Sequence, residues 1–362
     1  MTPAALTDLT ALTSATLRAE IGDFTVDEIP VYEASGEGEH AFVTFEKRGV
    51  TTIDAVRILA DAWEIDPRAA GYAGMKDRHA ITTQRASFPF AASRDLDATV
   101  AAFSHPDITV TSAIRHGHKL KPGHLVGNRF TIVLRDVPAA GRESLEARLS
   151  AISRYGVPNA YGDQRFGRRG DNAVRALEWL QGKWKGPRDR RKRKLMFSAL
   201  QSKLFNDVLE RRISRADWHT VLRGDVAKKH ESGGIFEVGA DGADLESEQA
   251  RASNGEIAAT GPMFGAKMRW PGGQPAEIER ESLAAAGLDE ELFARNKALG
   301  KGTRRSLVLR VSELAWEPLE QGVYRLCFVL PKGGYATTLL GHACQLNDVH
   351  RQPVLSSNST GF

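Results

Sequence analysis

Over residues 40–47, HAFVTFEK, apolar and polar positions alternate with a period of two. Phe42 and Thr44 face one way, Val43 and Phe45 the other. With DFTVDEIP ahead of it and SGEGEH as the turn, residues 22–48 read as two strands around a turn. The spacing then becomes helical. In TTIDAVRILADAWEI, Ile53, Val56, Ala60 and Trp63 recur on one face behind a threonine cap. A short strand leads into the segment around Asp77. Strands return in TQRASFPF, DITVTSAIRH and RFTIVLRDV, and in the last Phe130, Ile132 and Leu134 share a face opposite Thr131, Val133 and Arg135. RESLEARLSAISRY predicts a helix stopped by Gly156.

Beyond Gly156 the pattern turns helical. NAVRALEWLQG and LMFSALQSKLFNDVLERRI read as helices, with the basic run RDRRKRK as a short linker between them. Residues 223–260 read as loops with short strands, and a further helix covers roughly 289–298. GTRRSLVLRVSEL and YRLCFVLP restore strands, and ATTLLGHACQ adds a helix. The first 15 or so residues and the tail SSNSTGF are small and polar and read as frayed. The whole is an α+β pattern. Its simplest parse is one mixed domain split in sequence, with a mostly helical domain inserted between about 157 and 305. No internal repeat is visible.

A chain of 362 residues is long enough for two domains, and 41% hydrophobic content supplies ordinary cores. Two cysteines, Cys327 and Cys344, are too few for a disulfide framework and fit a reducing cytoplasm. Cys327, in an apolar run, reads as a buried inert thiol. The N-terminus lacks the basic and apolar regions of a secretory signal, and no window approaches a membrane span. The net charge of +4 is modest, so local clusters matter more than the total. Those clusters are RHGHKLKPGH at 115–124, RFGRRGDN, and RDRRKRK at 188–194, which holds Arg190, Arg191, Lys192 and Arg193. Such clusters neutralise phosphates.

The candidate chemistry centres on Asp77. It stands between Lys76 and Arg78, and flanking cations favour an ionised acid. Its segment, GYAGMKDRHAITTQ at 71–84, resembles the active-site motif of the tRNA pseudouridine synthase D family, roughly A-G-x-K-D-x-x-A-x-T-x-Q. Further segments match in order: DFTVDEIP with GEGEHAFVTFEK, GNRFTIVLR, GVPNAYGDQRFGRRGDN, SKLFNDVLERR, TGPMFG and LPKGGYATTLL. The match runs from about residue 17 to about 345.

The resemblance implies a pseudouridine-synthase mixed-sheet catalytic domain in two parts, residues 1–156 and 306–362, with an inserted domain at 157–305. It implies a cofactor-free, metal-free isomerase that converts uridine 13 in the D-arm of tRNA. It assigns the reacting carboxylate to Asp77, one wall of the uracil pocket to Phe130, and substrate contacts to Phe24 and Tyr335. Asn128, two residues before Phe130 on the same strand face, has an amide suited to a uracil edge or to the Asp77 loop. Lys76 is expected to hold Asp77 ionised or to bind a flanking phosphate. Arg18 falls where the family carries a basic residue near the acid, usually lysine. Tyr335 replaces the more usual phenylalanine.

Two other classes compete. A glycosidic or phosphodiester hydrolase would need a second positioned carboxylate, such as Asp163 or Glu39, or a metal cluster. A tRNA-binding or chaperone protein would bind RNA without product. The expected partner is tRNA, with no membrane, no obligate protein partner, and a monomeric chain.

Overall fold

A computed structural model describes residues 1–167 and 169–350, without the side chains of residues 163, 164 and 241. The tail SSNSTGF lies outside the described residues. The chain forms two compact units, one of residues 12–149 and 311–350 and the other of residues 1–11 and 150–310.

The chain begins with α1 (Pro3–Thr7), capped by the Thr2 side chain, and β1 (Ser14–Leu17). This corrects the expectation of a frayed start. Leu6, Ala15 and Leu17 are buried, and the β1 backbone pairs with two strands. Next come β2 (Phe24–Pro30), β3 (His40–Arg48), α2 (Thr52–Ala62), β4 (Gly71–Tyr72) and β5 (Ile81–Pro89). Then follow α3 (Leu96–Ala101), β6 (Ile108–His116), β7 (Leu125–Arg135) and α4 (Arg142–Tyr155), which ends at Gly156 with φ +73.

In the first unit ten strands form one sheet. Seven lie in the order β14-β15-β7-β2-β5-β3-β6, with β14 (Ser312–Glu320) and β15 (Val323–Pro331) from the C-terminal part. β2 and β3 are therefore not neighbours around a turn, as the sequence suggested. β5 runs between them, parallel to β2 at residues 25–27 and antiparallel to all of β3. Alternation reports which face a residue takes but carries no information on the partner strand. A parallel pair also needs a long crossover. Here β3, α2 and β4 supply it.

α2 packs on one face of this sheet. Thr51 accepts from the Asp54 amide, and Val56, Leu59, Ala60 and Trp63 join Val43, Phe45 and Phe88 in the core. Ile53, expected on that stripe, is 55% exposed. The buried stripe starts at Thr52 and runs through Ala55 and Val56, which leaves Ile53 outside. α10 (Ala336–Leu340) and β16 (Gln345–Asp348) complete the unit, with β16 parallel to β1.

The second unit holds β8 (Val157–Pro158), α5 (Asn172–Leu180), α6 (Arg190–Ser214), β9 (Val226–Lys229), β10 (Ile235–Glu237), α7 (Leu245–Ser253), β11 (Ile257–Met263), α8 (Gly273–Ala285), α9 (Glu290–Arg295), β12 (Thr303–Ser306) and β13 (Val308–Leu309). It holds a four-stranded sheet, β10-β9-β11-β12, with α6 and α7 packed against β11. The basic run is not a linker. Residues 190–194 are the opening turns of the 25-residue α6, because Asp189 caps that helix by accepting from the Arg191 and Lys192 amides. α7 likewise stands where loops were expected, capped by Asp244. α8 has no side-chain cap and offered no such signal.

Of the two cysteines, Cys344 is the buried one. Cys327 is only half-buried, because it sits on the sheet face shared with Thr131, 3.8 Å from that hydroxyl, and not on the core face. No described helix is long and apolar enough to cross a membrane.

Candidate active site

The Asp77 loop joins β4 to β5 and is tied down at several points. Gly71 must be glycine, since a Cβ there would collide with the Leu120 carbonyl oxygen. The Ala73 carbonyl accepts from the Gly123 amide at 2.7 Å, and the Lys76 amide donates to Thr52 Oγ1 at 2.8 Å. Arg78 Nε donates to the Gly49 carbonyl at 3.0 Å and so points away from the acid. His79 stacks on His350 at 4.3 Å, and its amide donates to Asp77 Oδ1 at 3.2 Å.

Asp77 is held from both ends. Arg18 Nη2 lies 2.7 Å from Asp77 Oδ2, while Arg18 Nη1 lies 2.9 Å from Asp348 Oδ2. Arg18 takes a left-handed φ of +60, costly for a residue with a side chain, at the end of β1. Its guanidinium also lies 4.3 Å over the Phe24 ring. At the other end, Lys47 Nζ donates to the Asp77 main-chain carbonyl at 2.7 Å. Lys47 is fully buried, and burial pushes its ammonium down to about 8, with Asp77 opposing that shift and Lys76 adding to it.

Lys76 does not do what the sequence suggested. Its ammonium is ion-paired with Glu28, and both side chains are closed off, at 5% and 3% exposure. A lysine so placed is neither a surface cation nor free for a phosphate. Lys76 and Asp77 are consecutive in the loop, yet their side chains take different partners, Glu28 and Arg18.

Phe24 and Phe130 are both buried and meet edge to face at 6.1 Å. Phe328 stacks on Phe130 at 5.3 Å. Asn128 lies on the same strand face as Phe130, opposite Glu28 on β2, and its Oδ1 is buried without a hydrogen-bond partner among the described residues. The strand passes close to β15 here, and a Cβ at Gly127 would strike the Leu330 carbonyl oxygen. Tyr335, at the N-terminus of α10, is exposed.

The basic clusters fare unevenly. Arg115 is occupied by the carbonyls of Gly38, Phe90, Ala91 and Arg94, and Lys119 Nζ donates to the Arg68 carbonyl. These two are therefore structural and not free for RNA. Arg165 bonds Ser198 and Ser202. In the 188–194 run, Arg190, Arg191 and Lys192 are exposed. Arg193 donates to the Pro187 carbonyl at 2.5 Å and lies 5.5 Å over Trp179, because packing there outbids solvent for a planar cation. Among the described residues no three His, Cys, Asp or Glu side chains form a metal-binding group. Glu39 is exposed, and the side chain of Asp163 lies outside the described residues.

Lys47, Glu28 and Asp348 were missed by the sequence reading. Lys47 had a signal, since it continues the buried parity of Ala41, Val43 and Phe45 along β3. Glu28 sits inside a motif segment, DFTVDEIP. Asp348 had none.

Comparison with known proteins bears on the whole chain. The family profile described as tRNA pseudouridine synthase D matches residues 6–190 and 187–342. A tRNA pseudouridine synthase D from Anaeromyxobacter sp. (strain Fw109-5) is 41% identical over 329 residues, covering 90% of each chain. One from Thermus thermophilus is 39% identical, covering 90% of this chain and 87% of its own. A crystal structure titled as the putative tRNA pseudouridine synthase D of Methanosarcina mazei superposes with a TM-score of 0.76. At 24% identity it covers 94% of this chain and 95% of its own, which bears out the α+β fold. The two-part profile match and the relatives together establish that this chain belongs to the tRNA pseudouridine synthase D family.

Proposed function

We propose that this protein converts uridine 13 in the D-arm of tRNA to pseudouridine, with Asp77 as the reacting carboxylate. The observation that carries the assignment is the unequal burial of the acids in the cluster. Glu28 and Asp348 are closed off at 3% and 8% exposure, while Asp77 stays 39% open. An acid anchored at its main chain and at both carboxylate oxygens, yet open to solvent, is preorganised to meet a flipped nucleotide.

The reaction breaks the N1–C1′ bond, turns the freed uracil and joins C5 to C1′. The C5 hydrogen leaves as a proton and N1 takes one up, so no electrons are gained or lost. Such an isomerisation calls for no cofactor and no metal. Asn128 would bond the uracil edge through the amide that has an unpartnered oxygen. Phe130, backed by Phe24 and Phe328, would wall the pocket, and exposed Tyr335 would stack on a base, worth roughly 1–3 kcal/mol. Arg18 would set the carboxylate. Lys76 acts only through its pair with Glu28.

The exposed cations at the start of α6 would grip the tRNA backbone. In this reading residues 157–305 are the inserted domain, and 1–156 with 306–362 the catalytic one. In this reading the protein acts on tRNA as a monomer in the cytoplasm.

The test is incubation with unmodified tRNA, followed by carbodiimide treatment and primer extension. A stop at the D-arm uridine with wild type, absent with Asp77→Asn although RNA binding persists, is expected. Turnover of the variant within tenfold of wild type would remove Asp77 from its role. RNA binding with no product from wild type would favour the chaperone reading.

A further inference from the structure

Lys47 lies on β3 and shares a sheet face with Val43 and Phe45. Nothing about an ordinary core position calls for an ammonium there. A buried cation is costly unless paired, and this one has no carboxylate in hydrogen-bond contact among the described residues. Its bond runs to a main-chain oxygen, that of Asp77, at 2.7 Å.

We propose that Lys47 is a positioning residue for the isomerisation, fixing the peptide of Asp77 while Arg18 fixes its carboxylate. The inference rests on the assignment of Asp77 as the reacting acid. A loop acid can miss its target by rotating its side chain or by shifting its backbone, and Arg18 restrains only the first. Thr52 on the Lys76 amide and Glu28 on the Lys76 ammonium hold the preceding residue. Lys47 supplies the remaining anchor at Asp77 itself. Displacing a reacting group by an ångström can slow a reaction by about a hundredfold.

The charged groups acting on Lys47 are few. Asp77 and Lys76 come from the loop, Glu28 on β2 faces Lys76, and the strand neighbours Thr82 on β5 and Ile108 on β6 carry no charge. The ammonium should therefore lose its proton near pH 8, which weakens its charge-assisted bond to the Asp77 carbonyl.

The test is the single-turnover rate with saturating enzyme, read by tritium release from tRNA labelled at uridine C5, from pH 6.5 to 9.5. Lys47→Met keeps the volume and removes the ammonium. Its rate at pH 7 should fall roughly 10- to 100-fold. Its tRNA dissociation constant should stay within about threefold, since Lys47 is buried away from RNA. The wild-type rate should decline above about pH 8, and that decline should be absent from the variant. A variant rate within threefold of wild type, or a variant that keeps the alkaline decline, overturns the proposal. If Lys47→Met does not fold, the wild-type profile decides alone, and a flat line to pH 9.5 rules the role out. Asp77→Asn is run alongside. If it retains activity, the assignment of Asp77 fails. If it is inactive while Lys47→Met is unimpaired, only the role of Lys47 fails.

Discussion

Arg18 bridges two acids, with one guanidinium nitrogen 2.7 Å from Asp77 and the other 2.9 Å from Asp348. The two partners are not equivalent. Asp348 is closed off and ends β16, which pairs with β1 directly before Arg18. It is placed to aim the arginine, while Asp77 is placed to be aimed.

That asymmetry gives the first prediction. Arg18→Met removes a charge-assisted bond from the reacting acid, worth roughly 1.5–3 kcal/mol. Single-turnover rates should drop about 10- to 150-fold. Arg18→Lys can reach one acid but not both and should recover part of the rate. Asp348→Asn should cost less than tenfold, since Arg18 keeps its bond to Asp77. Equal losses for Arg18→Met and Asp348→Asn would show that the arginine serves both acids alike.

The Lys76–Glu28 pair predicts an effect on stability. Both side chains are buried. Lys76→Met leaves the buried Glu28 carboxylate without its counter-ion and should cost about 3–5 kcal/mol. Glu28→Gln in the same chain removes the stranded charge, and the double variant should recover most of the loss. Urea midpoints of the two variants and wild type measure this. A double variant no more stable than Lys76→Met would mean that the pair is not a unit.

How far this architecture is legible in the sequence depends on range. Faces are local: the alternation in β3 and β7 foretells that Val43, Phe45, Phe130 and Ile132 are buried. Partners are not local, so the insertion of β5 between β2 and β3 is invisible until the chain is closed. The same holds at the site. Asp77, Arg18 and Asn128 are marked by their motifs, but the burial of Lys76 depends on Glu28, 48 residues away. The reading of residues 188–194 failed for another reason. Like charges leave no apolar period to count, and the helix start was signalled only by the cap Asp189.

Lys47 links stability to pH with a definite sign. Its folded value is about 8 against an ordinary 10.5. Below about 8 both states carry the proton. Between 8 and 10.5 the folded chain has lost it and the unfolded chain keeps it. The unfolded state then binds more protons, so stability rises with pH, by at most about 1.4 kcal/mol per pH unit. Lys47→Met lacks this contribution. The stability of wild type relative to the variant should therefore grow between pH 8 and 10, while wild-type turnover falls over the same range. A constant difference in urea midpoints would mean that Lys47 titrates like an exposed lysine.

The two cysteines should behave differently. Burial pushes the Cys344 thiol up to about 12, so at pH 8 it remains a protonated, unreactive thiol. Cys327 is half-buried. A thiol reagent at pH 8 should label Cys327 in the native chain and reach Cys344 only on unfolding. Labelling of both at similar rates, located by peptide mass, would contradict the burial of Cys344.

The start of α6 carries the last prediction. Arg190, Arg191, Lys192 and Lys194 are exposed on the first turns of the helix. Cations at a helix N-terminus oppose its dipole, and Arg190 and Lys194 repel each other one turn apart. The run is therefore a local liability for the helix, and a polyanion would turn it into a binding surface. Replacing those four by glutamine keeps helix propensity and leaves Arg193 on Trp179. The variant should melt no lower than wild type. Its tRNA affinity should fall, and the slope of log affinity against log salt should flatten by roughly 0.7–0.9 for each phosphate no longer neutralised. The single-turnover rate at saturation should hold, because Asp77, Arg18 and Lys47 are untouched. Filter binding across a salt series reads the slope, and an unchanged slope would make these turns a solvated helix end with no part in gripping tRNA.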